Sequence, residues 1–540
     1  MLLIQQLPIK PSSGQKSFMT ETGTPKIGAV LFVKNEISDL AFWMAWHLHC
    51  GFDTLILYDD HSDDGTWELI TQAAKAFDIR AHRAVGGEQF NIRQKNTYLD
   101  ALARYRDEFD WLLFLDADEF LEIRNGENVH DFLSHYPEAA AVALNWCCFG
   151  SNRHVLKPPT SSVFEHYTRH AVPGFEYNYT VKSFIRPRAT AVTYLNPHRF
   201  EVTGPYVTTD HQPIRWNAEH PHRTLTLAQW DVARVNHYLI RSTEHYLEKL
   251  KRRIDIRESG MGLDLFSYCD RNDLPDVLPT TRHDGMMPWL YRIQNQVNRA
   301  LLTQMIDSCG SGLKGEITLP PGPPSSASVT IGQLRTHHGT TVCYDLKTGR
   351  LCHVQDPESE ACRNRVAPIM ALRTPQWPDG LFLTAEPKRD TQFLFAPGDP
   401  RVSTFLSFRM EEQPDGQISL RNPVSGLLVS FLGLMNTLEN VEINRTSIND
   451  WERLRFVPLE HGSSLDQHTL EVLQNVTDPS QVFARRQKEA RASEDDADSR
   501  AADAFMAALS LLPADAQAFW KARNRVPAYP WLDTLRPLSV

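Results

Sequence analysis

Residues 111 to 120 read Trp-Leu-Leu-Phe-Leu-Asp-Ala-Asp-Glu-Phe, five apolar residues followed by three acids within four positions. A short, bulky apolar run of this kind fits a buried strand. Carboxylates at the mouth of such a strand need a cation or donor hydrogen bonds, because an unpaired buried charge is strongly disfavoured. A divalent cation is the simplest partner. In open α/β sheets, ligands bind beyond the carboxyl ends of the strands, where Asp116 and Asp118 emerge. Strand alternation puts those two side chains on the same side.

The flanks repeat the arrangement. Ile27 to Val33 reads as a strand followed by Lys34-Asn35-Glu36, and Ser38 is placed to cap a helix through Leu40, Trp43, Ala45 and Leu48 that Gly51 ends. A second strand, Thr54 to Tyr58, runs into Asp59-Asp60-His61-Ser62-Asp63-Asp64-Gly65-Thr66, and Trp67 to Phe77 reads as helix. A short strand near Ile79 and a helix from about Ile92 to Tyr105 lead back to the Trp111 strand. Strands alternating with helices at this spacing predict a mainly parallel, doubly wound sheet.

Between 140 and 260 the rhythm changes to irregular segments rich in His, Arg and Tyr, closed by a basic helix from Thr243 to Arg257. Irregular segments after such a half-sheet are where substrate loops sit. The run Leu319-Pro320-Pro321-Gly322-Pro323-Pro324 is a stiff linker. Beyond it come short strands and turns, with Gly349 and Gly426 about two roughly 38-residue units apart. The expected domains are an α/β unit over 26–315, a linker over 316–327, a β-rich unit over 328–462 and a helical segment over 463–540. A cut at the linker is expected to leave two folded pieces.

Composition narrows the function. The 540 residues are 41% hydrophobic and 23% charged, ordinary for a globular protein. A net charge of -10 speaks against a general nucleic-acid binder, which needs a basic surface. The eight cysteines show no CxxC spacing, so neither a zinc site nor a disulfide framework is expected, and a reducing compartment is the simplest inference. The opening Met-Leu-Leu-Ile-Gln-Gln-Leu-Pro is too polar for a signal sequence, and no apolar run approaches the ~20 residues of a membrane helix. The expected location is therefore cytoplasmic, with any membrane contact peripheral.

Three clusters, Lys34-Asn35-Glu36, Asp59-Asp60 and Asp116-Asp118-Glu119, thus fall at three successive strand ends. Their order resembles the GT-A glycosyltransferases, especially family 2 and its relatives in family 92. Asp59 to Thr66 is similar to the family's Asp-Asp-x-Ser-x-Asp-Gly-Thr run, Lys95-Asn96 with Ala101 to its Arg-Asn helix, and Asp116-Ala117-Asp118-Glu119-Phe120 to its DxD motif. Asn145-Trp146 through Ser151, Val181-Lys182-Ser183, and Asn236-His237-Tyr238 with Glu244 and Lys249 resemble the family-92-like subgroup.

The resemblance implies a GT-A domain that transfers a sugar, with inversion, from a nucleotide-sugar donor of the UDP type to a glycan or glycoconjugate acceptor, with Mn2+ or Mg2+ as cofactor. It places Asp118 on the metal, Asp116 on the metal or ribose, His237 on the metal or diphosphate, Asp60 on the uracil edge, Lys95 near base or phosphates, and Asn35 and Glu36 in the nucleotide site. Asp210 and Glu165 are the alternative candidates for the base that an inverting transferase needs. Residues 417 to 459, closing on Trp451-Glu452 and Phe456, are similar to one lobe of a β-trefoil. A nucleotidyltransferase and a non-enzymatic carbohydrate-binding protein are the alternatives; the first lacks here the Gly-rich loop it would carry after the first strand.

Overall fold

The computed structural model describes residues 24–310 and 329–459, with short breaks, and a few positions between 503 and 511. The expected linker and most of the expected C-terminal helical segment lie outside the described residues.

In the first unit the chain runs β1 (Ile27–Val33), α1 (Leu40–His49), β2 (Thr54–Asp59), α2 (Thr66–Ala73), β3 (Ile79–Arg83), α3 (Phe90–Tyr105), β4 (Trp111–Leu115), β5 (Glu119–Ile123), α4 (Val129–Ser134) and β6 (Ala141–Cys148). It continues through α5 (Val163–His166), β7 (Arg169–His170), β8 (Val181–Ile185), β9 (Thr190–Asn196), β10 (Arg199–Val202), β11 (Tyr206–Thr208), β12 (Ala233–His237) and α6 (Thr243–Arg252). One sheet has the order β3-β2-β1-β4-β8-β6-β12-β5, with β11 beside β6. The pairs β1–β2, β1–β4 and β2–β3 are parallel, as the strand and helix alternation predicts. β8 runs antiparallel between β4 and β6. The carboxyl ends of β1, β2, β4 and β6 therefore open on one side of the sheet.

Apolar side chains on both faces explain why β1 and β4 read as unbroken hydrophobic runs. One face packs Ile27, Ala29 and Leu31 against α1, and the other packs Val30 and Phe32 against α3 residues such as Tyr98 and Leu102. Nearly all of α1 is buried, because the helix Thr280–Gly310 packs along it and along α2. Gly51 closes α1 at φ +96° and Gly65 opens α2 at φ +105°, backbone angles that favour glycine.

Two local expectations are corrected. α1 is not capped by Ser38: its N-cap is Asp39, without a side-chain cap bond, and Ser38 Oγ donates to Asp39 Oδ2 at 2.6 Å. Asp39 is held instead by a buried ion pair with Arg241 at 2.5 Å. The acids after β4 do not continue the strand either. Residues 116 to 118 form a tight turn, and Glu119 opens β5, antiparallel to β12 with Glu119 opposite His237. The turn, rather than alternation, is what sets Asp116 and Asp118 at the sheet end.

The second unit is all-β. Its first strand, Thr330–Thr336, pairs antiparallel with its last, Leu454–Pro458, which also meets the strand Ile418–Arg421, so the sheet closes on itself as a barrel. Leu334, Leu381, Phe408 and Leu454 are among the residues that fill it. No helix among the described residues is long and apolar enough to cross a membrane.

A piece of the C-terminal segment links the two units. Asp503 Oδ2 accepts from Thr404 N (2.7 Å) and Thr404 Oγ1 (2.7 Å) in the β unit, and from Tyr291 Oη (3.0 Å) on the helix Thr280–Gly310. Burial nonetheless holds the Asp503 carboxyl above its ordinary 3.8. A raised folded-state value means that its contribution to stability is full below pH 3.8 and is lost as pH rises through the folded value. Asp503→Asn, which keeps an acceptor without the charge, is expected to unfold at the same or a higher temperature at pH 7. Asp503→Ala, which strands three donors, is expected to lose about 1–3 kcal/mol or more. Thermal unfolding at pH 4 and 7 checks both. A fragment that ends at the linker loses the acceptor of Tyr291 and is expected to fold with lower stability than in the full chain.

Candidate functional site

At the open end of the sheet the chain folds two loops onto each other. Asn35, at φ +52°, donates its backbone N–H to Ser62 Oγ (2.8 Å), and its amide exchanges hydrogen bonds with Asp63, Nδ2 to Oδ1 at 2.8 Å and Asp63 N to Oδ1 at 3.0 Å. Glu36 N donates to Thr66 Oγ1 and Ile37 N to Asp64 Oδ2. Half of the acids after β2 are thus spent on shaping the loop. Asp59 accepts from Ser62 N and is paired with Arg83. Asp60, 1% exposed, is gripped through both oxygens by Arg93, Nε at 2.7 Å and Nη2 at 2.8 Å. Lys34 Nζ donates to the Asp60 carbonyl at 2.7 Å.

Beside this loop lies the turn after β4. Asp116 Oδ2 sits 2.9 Å from Lys182 Nζ of β8, and Gln94 Nε2 donates to Oδ1 at 3.3 Å. Glu119, fully buried, accepts from Asp116 N (2.9 Å) and lies 3.2 Å from the same Lys182. One buried ammonium therefore serves two carboxylates. Burial pushes the Glu119 carboxyl up to about 7 against the pull of Lys182, while Asp116 and Glu119 hold the Lys182 ammonium charged although burial opposes it.

Asp118 faces the other way. Its Oδ2 is 2.6 Å from Lys249 Nζ of α6, its Oδ1 is 3.6 Å from His237 Nε2 at the end of β12, and its carbonyl accepts from Tyr238 N at 2.9 Å. Burial raises its carboxyl, but Lys249 and His237 together hold it well below the usual range. His237 is packed on the Trp146 ring, centroids 4.0 Å apart, and its Nδ1 is buried with no partner.

The donor set fits a divalent cation. Two ligands of an octahedral Mg2+, each at about 2.1 Å, lie about 3 Å apart, so a small closure of the Asp118 to His237 gap accommodates one ion. Among the described residues no group of three or more His, Cys, Asp or Glu side chains forms a closed cage. That suits a cation bound through one or two protein ligands and completed by substrate phosphates and water.

A model of glycosyltransferase family 92 matches residues 27–246, the span that contains every residue of the two loops and of the acidic turn. Over these residues the chain is similar to glycosyltransferase family 92. A glycosyltransferase family 92 protein of Oryza sativa subsp. japonica is 26% identical over 176 residues, 32% of this chain and 28% of that one. Another, of Ricinus communis, is 24% identical over 256 residues, 45% of this chain and 40% of its own. The chain thus spans less than half the length of either relative. The crystal structure of S. aureus TarS 1-349 aligns at 12% identity and a TM-score of 0.24, over 50% of this chain and 71% of that chain, a likeness too low to bear on the site.

Within the span that matches the family-92 model, Asn35, Glu36, Asp60, Asp116, Asp118 and His237 converge on the open end of the sheet. Lys95 does not join them: it is exposed on α3, and Arg93, two positions earlier, is the cation that reaches Asp60. Asp60, which the resemblance places on the uracil edge, is an acid buried to a degree that needs a counter-charge, and Arg93 supplies it. Asp210 is also elsewhere. It is exposed and hydrogen-bonded by Thr208, in the turn whose Thr209 carbonyl accepts from Tyr136 Oη at 2.7 Å, near the start of β6 rather than its end. Glu165 lies on α5 with Oε1 3.9 Å from His283 Nε2, and α5 meets the acidic turn through Phe164 against Phe120. Trp146, within the matched Asn145 to Ser151 run, is 7% exposed and packs as core.

Sequence reasoning matches Lys182 and Lys249 to the family and reads the basic helix end that carries Lys249 either as a grip for an anionic lipid or phosphate or as a solvated end; the structure places Lys249 on Asp118. Sequence reasoning missed Arg241 altogether. That residue, 3% exposed at φ +52°, pairs with Asp39 and leaves Nε without a hydrogen-bond partner. The signal available was the fit of buried lysines and an arginine to an excess of buried acids.

Proposed function

We propose that the protein transfers a sugar from a nucleotide-sugar, of the UDP type, to a hydroxyl of a glycan or glycoconjugate, with Mn2+ or Mg2+ as cofactor. The observation that carries this reading is Asp118 poised between His237 and Lys249 at the mouth of the sheet, beside the Asp59 to Thr66 loop. Asp118 Oδ1 and His237 Nε2 would hold the cation, with Asp116 next to it. When bound, such an ion neutralises the charge that grows on the diphosphate as the glycosidic bond breaks.

The protein's own groups do the remaining work. Lys249, 12% exposed, and Lys34 supply positive charge next to the acids, where a leaving diphosphate gains from preorganised donors. Lys182 fixes Asp116 and Glu119 from below and keeps the turn from splaying. Arg93 locks Asp60 at the base of the Asp59 to Thr66 loop. The β-rich unit is read as an accessory module that holds the glycan acceptor near the site and raises its effective concentration.

The test is calorimetric titration of UDP with and without Mn2+. Tight binding that requires the cation is expected. His237→Gln is expected to weaken the Mn2+-dependent part at least ~10-fold, the lower end of losses when a metal site's supporting residues change, and to leave metal-free binding untouched. Equal affinity for the two proteins in Mn2+ contradicts the assignment of His237.

A further inference from the structure

Cysteines with no CxxC spacing in the sequence are gathered in the all-β unit. Cys343, in the strand Thr341–Asp345, and Cys352, in the strand Leu351–Val354, are direct cross-strand partners. Both are buried with Val354 and Val366 in a small core of their own, and Cys362 packs against it. Cys362 sits in the turn that feeds the strand Val366–Thr374, and its carbonyl accepts from Arg365 N (2.8 Å) and Val366 N (2.9 Å). In that strand Val366 is opposite Asp345 and Pro368 is opposite Cys343. The Cys362 turn therefore leads into the strand that lies beside Cys343, and Cys362 packs on the same small core.

All three thiols are free, and their exposure differs. Cys343 and Cys352 are wholly buried, whereas Cys362 is partly exposed. Burial pushes the Cys343 thiol up to about 12, so on its own it is inert at neutral pH. A reagent from solution can meet Cys362 first.

We propose that this trio is a redox modification site that takes a low-molecular-weight disulfide such as oxidised glutathione, with Cys362 as the entry thiol and Cys343 as the resolving thiol. The Cys362 thiolate attacks one sulfur of the small disulfide, releasing one small thiol and leaving a mixed disulfide on Cys362. Cys343 Sγ, giving up its proton, then attacks Cys362 Sγ and releases the second small thiol. One small disulfide is reduced to two thiols, one protein disulfide forms, and the two protons from the protein thiols end on the released thiols. The ring closed between 343 and 362 ties the hairpin to the turn and restricts the unfolded chain, which stabilises the unit. Cys352, next to Cys343, is placed to attack Cys343 Sγ of the new bond, which moves the disulfide to Cys343–Cys352 and frees the Cys362 thiol; an added dithiol such as dithiothreitol then reduces that bond and is itself oxidised.

The test exposes the full chain to oxidised glutathione, alkylates the remaining thiols and maps the cross-linked peptides by mass spectrometry, with thermal unfolding in parallel. A Cys343–Cys362 peptide and a rise of several degrees in the unfolding of the β-rich unit, both reversed by dithiothreitol, are expected. Cys362→Ser, at the partly exposed position, is expected to fold, to form no disulfide and to show no shift. Cys352→Ser is expected to form the bond and to be slower to reopen. Unmodified thiols in the folded wild type, or a Cys343–Cys352 bond that forms as fast in Cys362→Ser, would overturn the proposal.

Discussion

Asp118→Asn is expected to lower donor turnover by at least ~10²-fold, the scale of losing one preorganised electrostatic stabiliser. The substitution keeps the size and the backbone contact, since the Asp118 carbonyl still accepts from Tyr238 N. It removes the charge that Oδ1 presents to His237 and, under the proposed function, to a cation. Folding is expected to survive, because Lys249 Nζ retains the Leu239 carbonyl at 3.0 Å and is not left without an acceptor. The loss should fall on kcat more than on KM for the donor, as expected for an interaction that strengthens when the diphosphate departs. Steady-state kinetics over a donor range, alongside an unfolding curve, separates this from a folding defect. A variant that is more stable with normal turnover would make Asp118 an ordinary residue of the turn after β4.

The second large effect is on stability. Lys182→Met is expected to destabilise the α/β unit by about 3–5 kcal/mol, the cost of removing one partner from a buried ion cluster. Lys182 is 1% exposed and holds Asp116 at 2.9 Å and Glu119 at 3.2 Å; without it the fully buried Glu119 and the partly exposed Asp116 lose their shared counter-charge. Urea unfolding measures the loss. Combining Lys182→Met with Glu119→Gln should recover part of it, because one of the two orphaned charges is gone. A single variant that unfolds at the wild-type midpoint would show that the cluster is solvated and contributes little.

Much of the α/β unit was legible in the sequence because its signals are local. β1, β2 and β4 are apolar runs of strand length, and glycines at 51 and 65 mark the turns that the chain makes there. β5 was not legible, since Glu119-Phe120-Leu121-Glu122-Ile123 begins within the acidic motif and is a strand only because β12 lies beside it. The helix Thr280–Gly310 was hidden by Gly285 and Pro288, which break the usual helical pattern; Gly285 is there because His49 of α1 leaves no room for a Cβ. The site divides in the same way. The acids announced themselves by standing at strand ends, but their cations come from 33, 66 and 131 residues away, in Arg93, Lys182 and Lys249. No spacing rule links such pairs; the need of each buried carboxylate for a counter-charge was the available clue, and it does not say which lysine answers.

The most direct test of the central claim is the release of nucleoside diphosphate from a panel of nucleotide-sugars, measured with the full chain before and after chelation of divalent cations. Turnover of at least one donor, abolished by chelator and restored by Mn2+ or Mg2+, is the expected result. A rate that chelation leaves unchanged, or no release from any donor by folded protein supplied with cation and acceptor glycans, would contradict it.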